Sequence, residues 1–395
     1  MTALLLVLTA LAPQVRTGLD RLAEEGFAPL KGRRIGLVVN ATSRDRAGRH
    51  LIELAAAAKD VRLAALFSPE HGLRGAADTE VADGRDEATG LPVHSLYGKH
   101  RKPTAEMLAG VDLLVFDIQD VGTRYYTYIT TLALVMEAAK EHGKQVMVLD
   151  RPNPIGGEAV EGPLQDETLL KQFISYFYLP VRHGMTIGEL ARLFNADYGI
   201  GCELTVVPME GWTRGMWYDE TGLPWINPSP NMRSLAAATA YPGLGALEGT
   251  SLSVGRGTGR AFELYGAPWV DAGRLCRELN ARGLEGVSFK EAAFTPRLEP
   301  GFPRYPHTDA ECRGFELKIL DRKAFRPVSA ALHVLDVLHR LHPKEFTFKR
   351  ACAMIGQPSL EDDLKAGRSP GEIEFEWKFS VQDFRRRRQP RLLYP

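Results

Sequence analysis

The chain has 395 residues, 44% hydrophobic and 25% charged, a soluble-globular composition at a length that predicts two domains. Lys plus Arg and Asp plus Glu both number 49, so the formal net charge is zero. That balance argues against a nucleic-acid partner, which would select a basic excess.

The chain opens on an apolar run, Ala3 to Ala12, closing in Ala10-Leu11-Ala12. Residues 1–12 read as a candidate signal segment, although no Lys or Arg precedes the run. A secreted or periplasmic location is therefore expected, with a cytoplasmic one left open. No later segment is long and apolar enough for stable membrane insertion. Next come a helix over Val15 to Glu25 and a strand, "RRIGLVVNAT", ending near Asn40. His50 to Lys59 reads as helix, and "VRLAALFSPEHG" as the second strand. "LPVHSLYG" is a short third strand. "VDLLVFDIQD" is a fourth, apolar almost throughout, as a strand covered on both faces should be. A helix over Thr130 to His142 stops at Gly143, and "KQVMVLDRPNP" is the fifth strand.

This alternation predicts an α/β protein with a Rossmann-like, doubly wound parallel sheet over residues 13–180. A linker is expected between Phe173 and Gly184, followed by a smaller α/β domain over 181–395. That half reads as a helix "MTIGELARLFNADYG", a strand "CELTVVPM" and a long loop-rich stretch through "YPGLGALEGTSLSVGRGTG". A helix over Asp271 to Arg282, strands at Val287 to Phe294 and Phe315 to Leu320, a helix over Val328 to His342 and a largely helical tail complete it. The run Arg385 to Arg391 reads as a solvated helix end. Cys202, Cys276, Cys312 and Cys352 lack zinc-finger or CxxC spacing and read as small buried hydrophobes.

In doubly wound sheets ligands bind beyond the carboxyl ends of the strands. Polar residues collect at those positions: Asn40 after the first strand, Glu70 and His71 after the second, Asp117 and Asp120 after the fourth, and Asp150, Arg151 and Asn153 after the fifth. Four strand ends in agreement predict an active-site edge. Glu70, His71, Asp117 and Asp120 form an acid/base cluster, with a metal site as the lesser alternative because no recognised ligand spacing is present. Tyr125, Tyr126 and Tyr128 are candidates to stack on a sugar ring, or simply to pack a helix start. Arg124, Arg151 and Arg256 suit a carboxylate or phosphate; otherwise they pair with Asp117, Asp150 or Glu161. The glycine-rich "GRGTGR" is not a P-loop, and neither a GxSxG elbow nor HExxH occurs.

Taken in order, "FSPEHGLRG", "SLYGKHRKPTAEML", "VFDIQDVGTRYYTYI", "VLDRPNPIGG", "VEGPL", "HGMTIGELA", "NPSPNM" and "YPGLGALEGTSLSVGRGT" resemble the exo-β-N-acetylmuramidase family of bacterial glycoside hydrolases, long known only as a domain of unknown function. The resemblance runs from about Val15 to the C-terminus. It implies a Rossmann-like domain and a smaller α/β domain with the active site in the cleft between them. It also implies release of N-acetylmuramic acid from the non-reducing end of peptidoglycan fragments, in cell-wall turnover. Glu70 then matches the catalytic acid, with His71 beside it. Asp120 is the candidate second carboxylate, unless the substrate's own 2-acetamido oxygen attacks with Asp120 or Glu161 orienting it. The lactyl carboxylate of N-acetylmuramic acid calls for an arginine: Arg124 first, Arg151 or Arg256 otherwise. His183, Asn231 and Glu248 lie within the matched motifs and are expected at the substrate, as are Asn40, Asp117, Tyr125, Tyr126, Asp150 and Asn153. The expected partner is a peptidoglycan-derived glycan or muropeptide, with no cofactor and no metal; the oligomeric state is open. A non-catalytic muropeptide-binding protein and a metal-dependent phosphoesterase are the competing readings.

Overall fold

A computed structural model describes residues 14–75 and 82–395; the candidate signal segment lies outside them. Twelve strands occur among these residues: β1 (Arg34–Val39), β2 (Arg62–Ser68), β3 (Gly84–Arg85), β4 (Pro92–Ser95), β5 (Leu113–Asp117), β6 (Gln145–Leu149), β7 (Glu161–Leu164), β8 (Pro180–Arg182), β9 (Glu203–Val207), β10 (Leu264–Ala267), β11 (Val287–Phe294) and β12 (Cys312–Ile319). Seven form one sheet in the order β3-β4-β2-β1-β5-β6-β9, parallel except for β3.

The apolar run of β5 follows from burial on both faces. Leu113 and Val115 join Ile35, Leu37 and Val39 of β1 in one core, under the helices Gly18–Glu24 and Leu51–Ala57. Leu114 and Phe116 point the other way, into a larger core with the helices Tyr128–Glu141 and Ile187–Ala196. Alternating residues of one strand thus serve two cores, and no polar position is left in it before Asp117.

The sheet extends past the expected boundary at residue 180. Helix Ile187–Ala196 and β9 continue it, with β9 pairing β6 in parallel from Gln145↔Glu203 to Leu149↔Val207. The presumed linker is also structured: Pro180–Arg182 is β8, antiparallel to β7. A short strand that pairs with a partner 16 or more residues earlier is difficult to tell from a connector by local pattern alone.

The second unit carries the antiparallel sheet β10-β12-β11, packed on helix Ala272–Asn280, which in turn packs on helix Pro327–Leu341. Its stretch "YPGLGALEG", expected as loop, lies in helix Leu235–Leu244 and the following 3₁₀ turn. Pro242 and Gly243 argue locally against helix, yet Gly243 is needed for packing: a Cβ there would lie 1.8 Å from the Pro327 carbonyl oxygen of the neighbouring helix. Gly243→Ala should therefore cost about 3 kcal/mol, the upper end for overpacking, since two backbones must part. A denaturation midpoint unchanged from wild type would show that the helices are not locked there.

The C-terminal tail returns to the first unit. Tyr394 Oη donates to Asp150 Oδ2 at 2.5 Å, and Leu393 N–H donates to Glu189 Oε1 at 2.8 Å. The arginine run of helix Pro370–Arg388 is only partly a solvated end. Arg388 is buried and donates to the carbonyls of Gly157, His183 and Gly184. All four cysteines are buried free thiols, and burial raises each pKa to about 11. No described helix is long and apolar enough to cross a membrane.

Candidate active site

Glu70 and His71 stand at the tip of β2 for a backbone reason. Gly72 N–H donates to the Pro69 carbonyl at 3.1 Å, closing a turn with Glu70 and His71 as its central residues. His71 takes φ 72°, in the left-handed region that a residue with a side chain seldom adopts. Glu70 Oε2 accepts from Thr127 Oγ1 at 2.6 Å. Thr127 is the N-cap of helix Tyr128–Glu141, but its hydroxyl caps no helix N–H. It is used on Glu70 instead, holding the carboxyl group near the positive end of the helix.

Around Glu70 lies a cleft of about 390 Å³ between the two units. From the first unit come Glu70, His71, Tyr97, Arg101 and Tyr125 to Tyr128, with Phe173 and Ile174 from the β7–β8 connection. From the second come Tyr241, Glu248, Arg256, Phe262, Arg350 and Met354. Among the described residues two carboxylates line this cleft, Glu70 and Glu248, and Glu248 is ion-paired with Arg256 at 2.8 Å. Tyr126 and Tyr128 meet edge to face at 5.0 Å. Burial pushes both phenols well above their usual range, and the charge of Asp120 adds to that.

Other strand-end residues are committed to building the edge. Asn40 Oδ1 accepts from Thr42 N and Oγ1, shaping the loop after β1. Asp117 and Arg151 are both buried and pair through two bonds, at 2.5 and 2.8 Å. Burial raises the Asp117 pKa against the pull of that guanidinium. Asp150 accepts from Arg151 N, Thr186 Oγ1, Gly188 N and Tyr394 Oη, so it ties β6 to the next helix and to the tail. Asn153 bridges Met185 O and Ile155 N, and Gly122 must lack a Cβ because one would come within 2.5 Å of Asn153 Oδ1. Asn231 Nδ2 donates to the Tyr305 hydroxyl at 3.0 Å.

Three expectations change. Arg124, the first choice for a substrate carboxylate, is 1% exposed and donates to four carbonyls, those of Pro163, Leu179, Met354 and Ile355. Burial lowers its pKa to about 9, which leaves it charged at neutral pH. Its role is to join the β7–β8 hairpin to helix Ala351–Ile355, and Arg151 is likewise consumed by Asp117; of the three proposed arginines only Arg256 lines the cleft. Asp120 is buried and does not line the cleft with Glu70. Its Oδ2 accepts from Gly122 N at 2.7 Å and faces His183 Nε2 at 3.7 Å. Met185 N–H donates to His183 Nδ1, so a neutral His183 carries its proton on Nε2, toward Asp120. Glu161 pairs with Arg182 at 2.6 Å and borders a different groove, of about 570 Å³, against helix Pro370–Arg388. Among the described residues no group of three His, Cys, Asp or Glu is arranged to hold a metal ion.

The family model for the exo-β-N-acetylmuramidase NamZ N-terminal region matches residues 35–236, and that for its C-terminal region matches 239–394. The chain belongs to the NamZ family. Its two matched regions meet at 236–239, after β9, where the first sheet is complete. Over 391 residues the chain is 44% identical to a peptidoglycan β-N-acetylmuramidase NamZ of Bacillus subtilis strain 168, covering 98% of this chain and 93% of that one. Crystal structures of two DUF1343 family proteins from Bacteroides fragilis superpose with TM-scores of 0.89 and 0.77. They are 36% and 31% identical to this chain, and each match covers 96% or more of it and 99% of the solved chain.

Sequence reasoning missed Thr127, Arg101 and Arg350 in this NamZ-family cleft. Thr127 and Arg101 sit inside motifs that carried the resemblance, "VFDIQDVGTRYYTYI" and "SLYGKHRKPTAEML". Arg350 had no local signal; it begins a short helix far along the chain and reaches the cleft only through the fold.

Proposed function

We propose that this chain removes N-acetylmuramic acid from the non-reducing end of peptidoglycan fragments, with Glu70 protonating the leaving oxygen. The observation that carries the reading is a carboxyl group fixed by Thr127 in a cleft walled by tyrosines and arginines. A pyranose stacks on aromatic faces while its hydroxyls and charges meet polar groups. The family relatives supply the sugar.

Glycoside cleavage needs a second group to stabilise or trap the oxocarbenium-like carbon. Within the cleft Glu248 is the candidate carboxylate, oriented by Arg256. Attack by the substrate's 2-acetamido oxygen is the other route. Asp120 and His183, buried beside one another, act in this reading as positioning residues behind the loop that carries Tyr125 to Tyr128. Cell-wall turnover, and export to the compartment holding such fragments, belong to the same proposal.

The deciding assay compares a chromogenic β-N-acetylmuramide with the matching glucosaminide, and short muropeptide glycans as natural substrates. Release of N-acetylmuramic acid, undiminished by EDTA, is the expected result. Release of N-acetylglucosamine alone would sink the reading. Loss of this activity with chelator, restored by a divalent ion, would place a metal in the reaction, and chelator-sensitive hydrolysis of an aryl phosphate in place of the glycosides would revive a metal-dependent phosphoesterase.

A further inference from the structure

Two arginines line the Glu70 cleft from opposite units. Arg101 comes from the loop after β4, and Arg350 from the start of helix Ala351–Ile355. Both are exposed. Arg101 lies over the Phe173 ring, 4.6 Å from its centroid, and forms no ion pair among the described residues. The Arg350 side chain makes neither a hydrogen bond nor an ion pair among them; only its backbone is engaged, N–H to Gly249 O and C=O from Met354 N. The other arginines proposed for an anion are already occupied: Arg124 on four carbonyls, Arg151 on Asp117, Arg256 on Glu248.

A guanidinium without a carboxylate partner, beside a sugar-sized cleft, is a ready donor pair for a planar anion. We infer that Arg101 and Arg350 together grip the carboxylate of the bound sugar, one from each unit, and so set the preference for an acidic over a neutral amino sugar. The inference rests on the proposed muramidase reading and names the residues that would select its substrate. Contact with the Phe173 ring restricts the Arg101 side chain, which lowers the entropy lost when it binds.

The test uses Arg101→Gln and Arg350→Gln in the full chain, with Arg→Lys at each site as the conservative partner. KM for an aryl β-N-acetylmuramide and the Kd of free N-acetylmuramic acid should each rise by ~10-fold or more per variant, the fold-change of one charge-assisted hydrogen bond. kcat should change by less than the KM effect, because the contact is made in the ground state as well. Lys should recover part of the loss by keeping the charge but not the fork. Binding of N-acetylglucosamine should be unchanged, which also reports an intact fold. Wild-type release of N-acetylmuramic acid together with variants that bind it as tightly as wild type would overturn the inference and leave the muramidase reading standing. Arginine-dependent binding of the acidic sugar without its release would do the reverse. If wild type does not bind the acidic sugar at all, both are wrong.

Discussion

Glu70→Gln is expected to reduce turnover of muropeptide glycans by ~10²–10⁴-fold, the usual worth of general acid/base help. The amide keeps the size of the carboxyl group, and its oxygen can still accept from Thr127 Oγ1, so the side chain should stay in place. What it loses is the proton for the leaving oxygen. Binding should therefore survive, with Kd for N-acetylmuramic acid within about threefold of wild type, as expected when an interaction needed only in the transition state is removed. The leaving group supplies an internal control. A sugar alkoxide departs only when protonated, whereas a nitrophenolate departs readily without help. The defect should thus be larger on the natural glycan than on a nitrophenyl muramide. Equal loss on both substrates would point to a role other than acid, and activity within a few-fold of wild type would make Glu70 a structural residue.

Arg124→Ala is expected to act on stability, not on substrate choice. Truncation would strip donors from the carbonyls of Pro163, Leu179, Met354 and Ile355, all met inside the protein. A buried acceptor left without a partner costs about 1–3 kcal/mol, and the cavity adds to it. Relief from burying a charge offsets part of this, so a net loss of about 3–5 kcal/mol is expected, in the exceptional range for one substitution. The surroundings cannot close over the gap easily. Gly356, at φ 94°, is a glycine because a Cβ there would come within 2.6 Å of the Arg124 Nη2, so the chain is wrapped tightly around this guanidinium. Equilibrium denaturation reads the effect directly. Arg124→Lys should rescue little, since one ammonium has three donors and no planar fork to match four carbonyls. A stable variant with a raised KM for muramides alone would return Arg124 to the substrate.

The strand-end logic explains why the polar edge of the sheet could be read before the fold was known. A parallel strand covered on both faces must be apolar throughout, so the first polar residue after it is conspicuous, and it emerges at the sheet edge where ligands bind. Asn40, Glu70, Asp117 and Asp150 are all found at or just past their strand ends. The long ordered motifs did the rest, and the matched family agrees with the resemblance they carried.

Local sequence could not say which polar residue faces the cleft and which is consumed in building it. Glu70 and Asp117 look alike as carboxylates after apolar strands. Their roles differ because Arg151 is 34 positions from Asp117 in sequence but pairs with it across the sheet edge, while Glu70, among the described residues, accepts from the hydroxyl of Thr127 and has no ion pair. Arg124 and Arg350 reverse in the same way. The first sits among site residues in sequence yet is used up by backbone carbonyls as distant as Ile355. The second has no motif around it and still lines the cleft. Most strand and helix character, and the family, depend on patterns within short windows and were determined by the sequence itself; helix Leu235–Leu244 and strand β8 are the exceptions, decided by packing on Pro327 and pairing with β7. Which charges are neutralised depends on partners contributed by remote segments, and only tertiary structure decides it, because a hydrogen bond of about 3 Å is set by the folded path and not by separation along the chain.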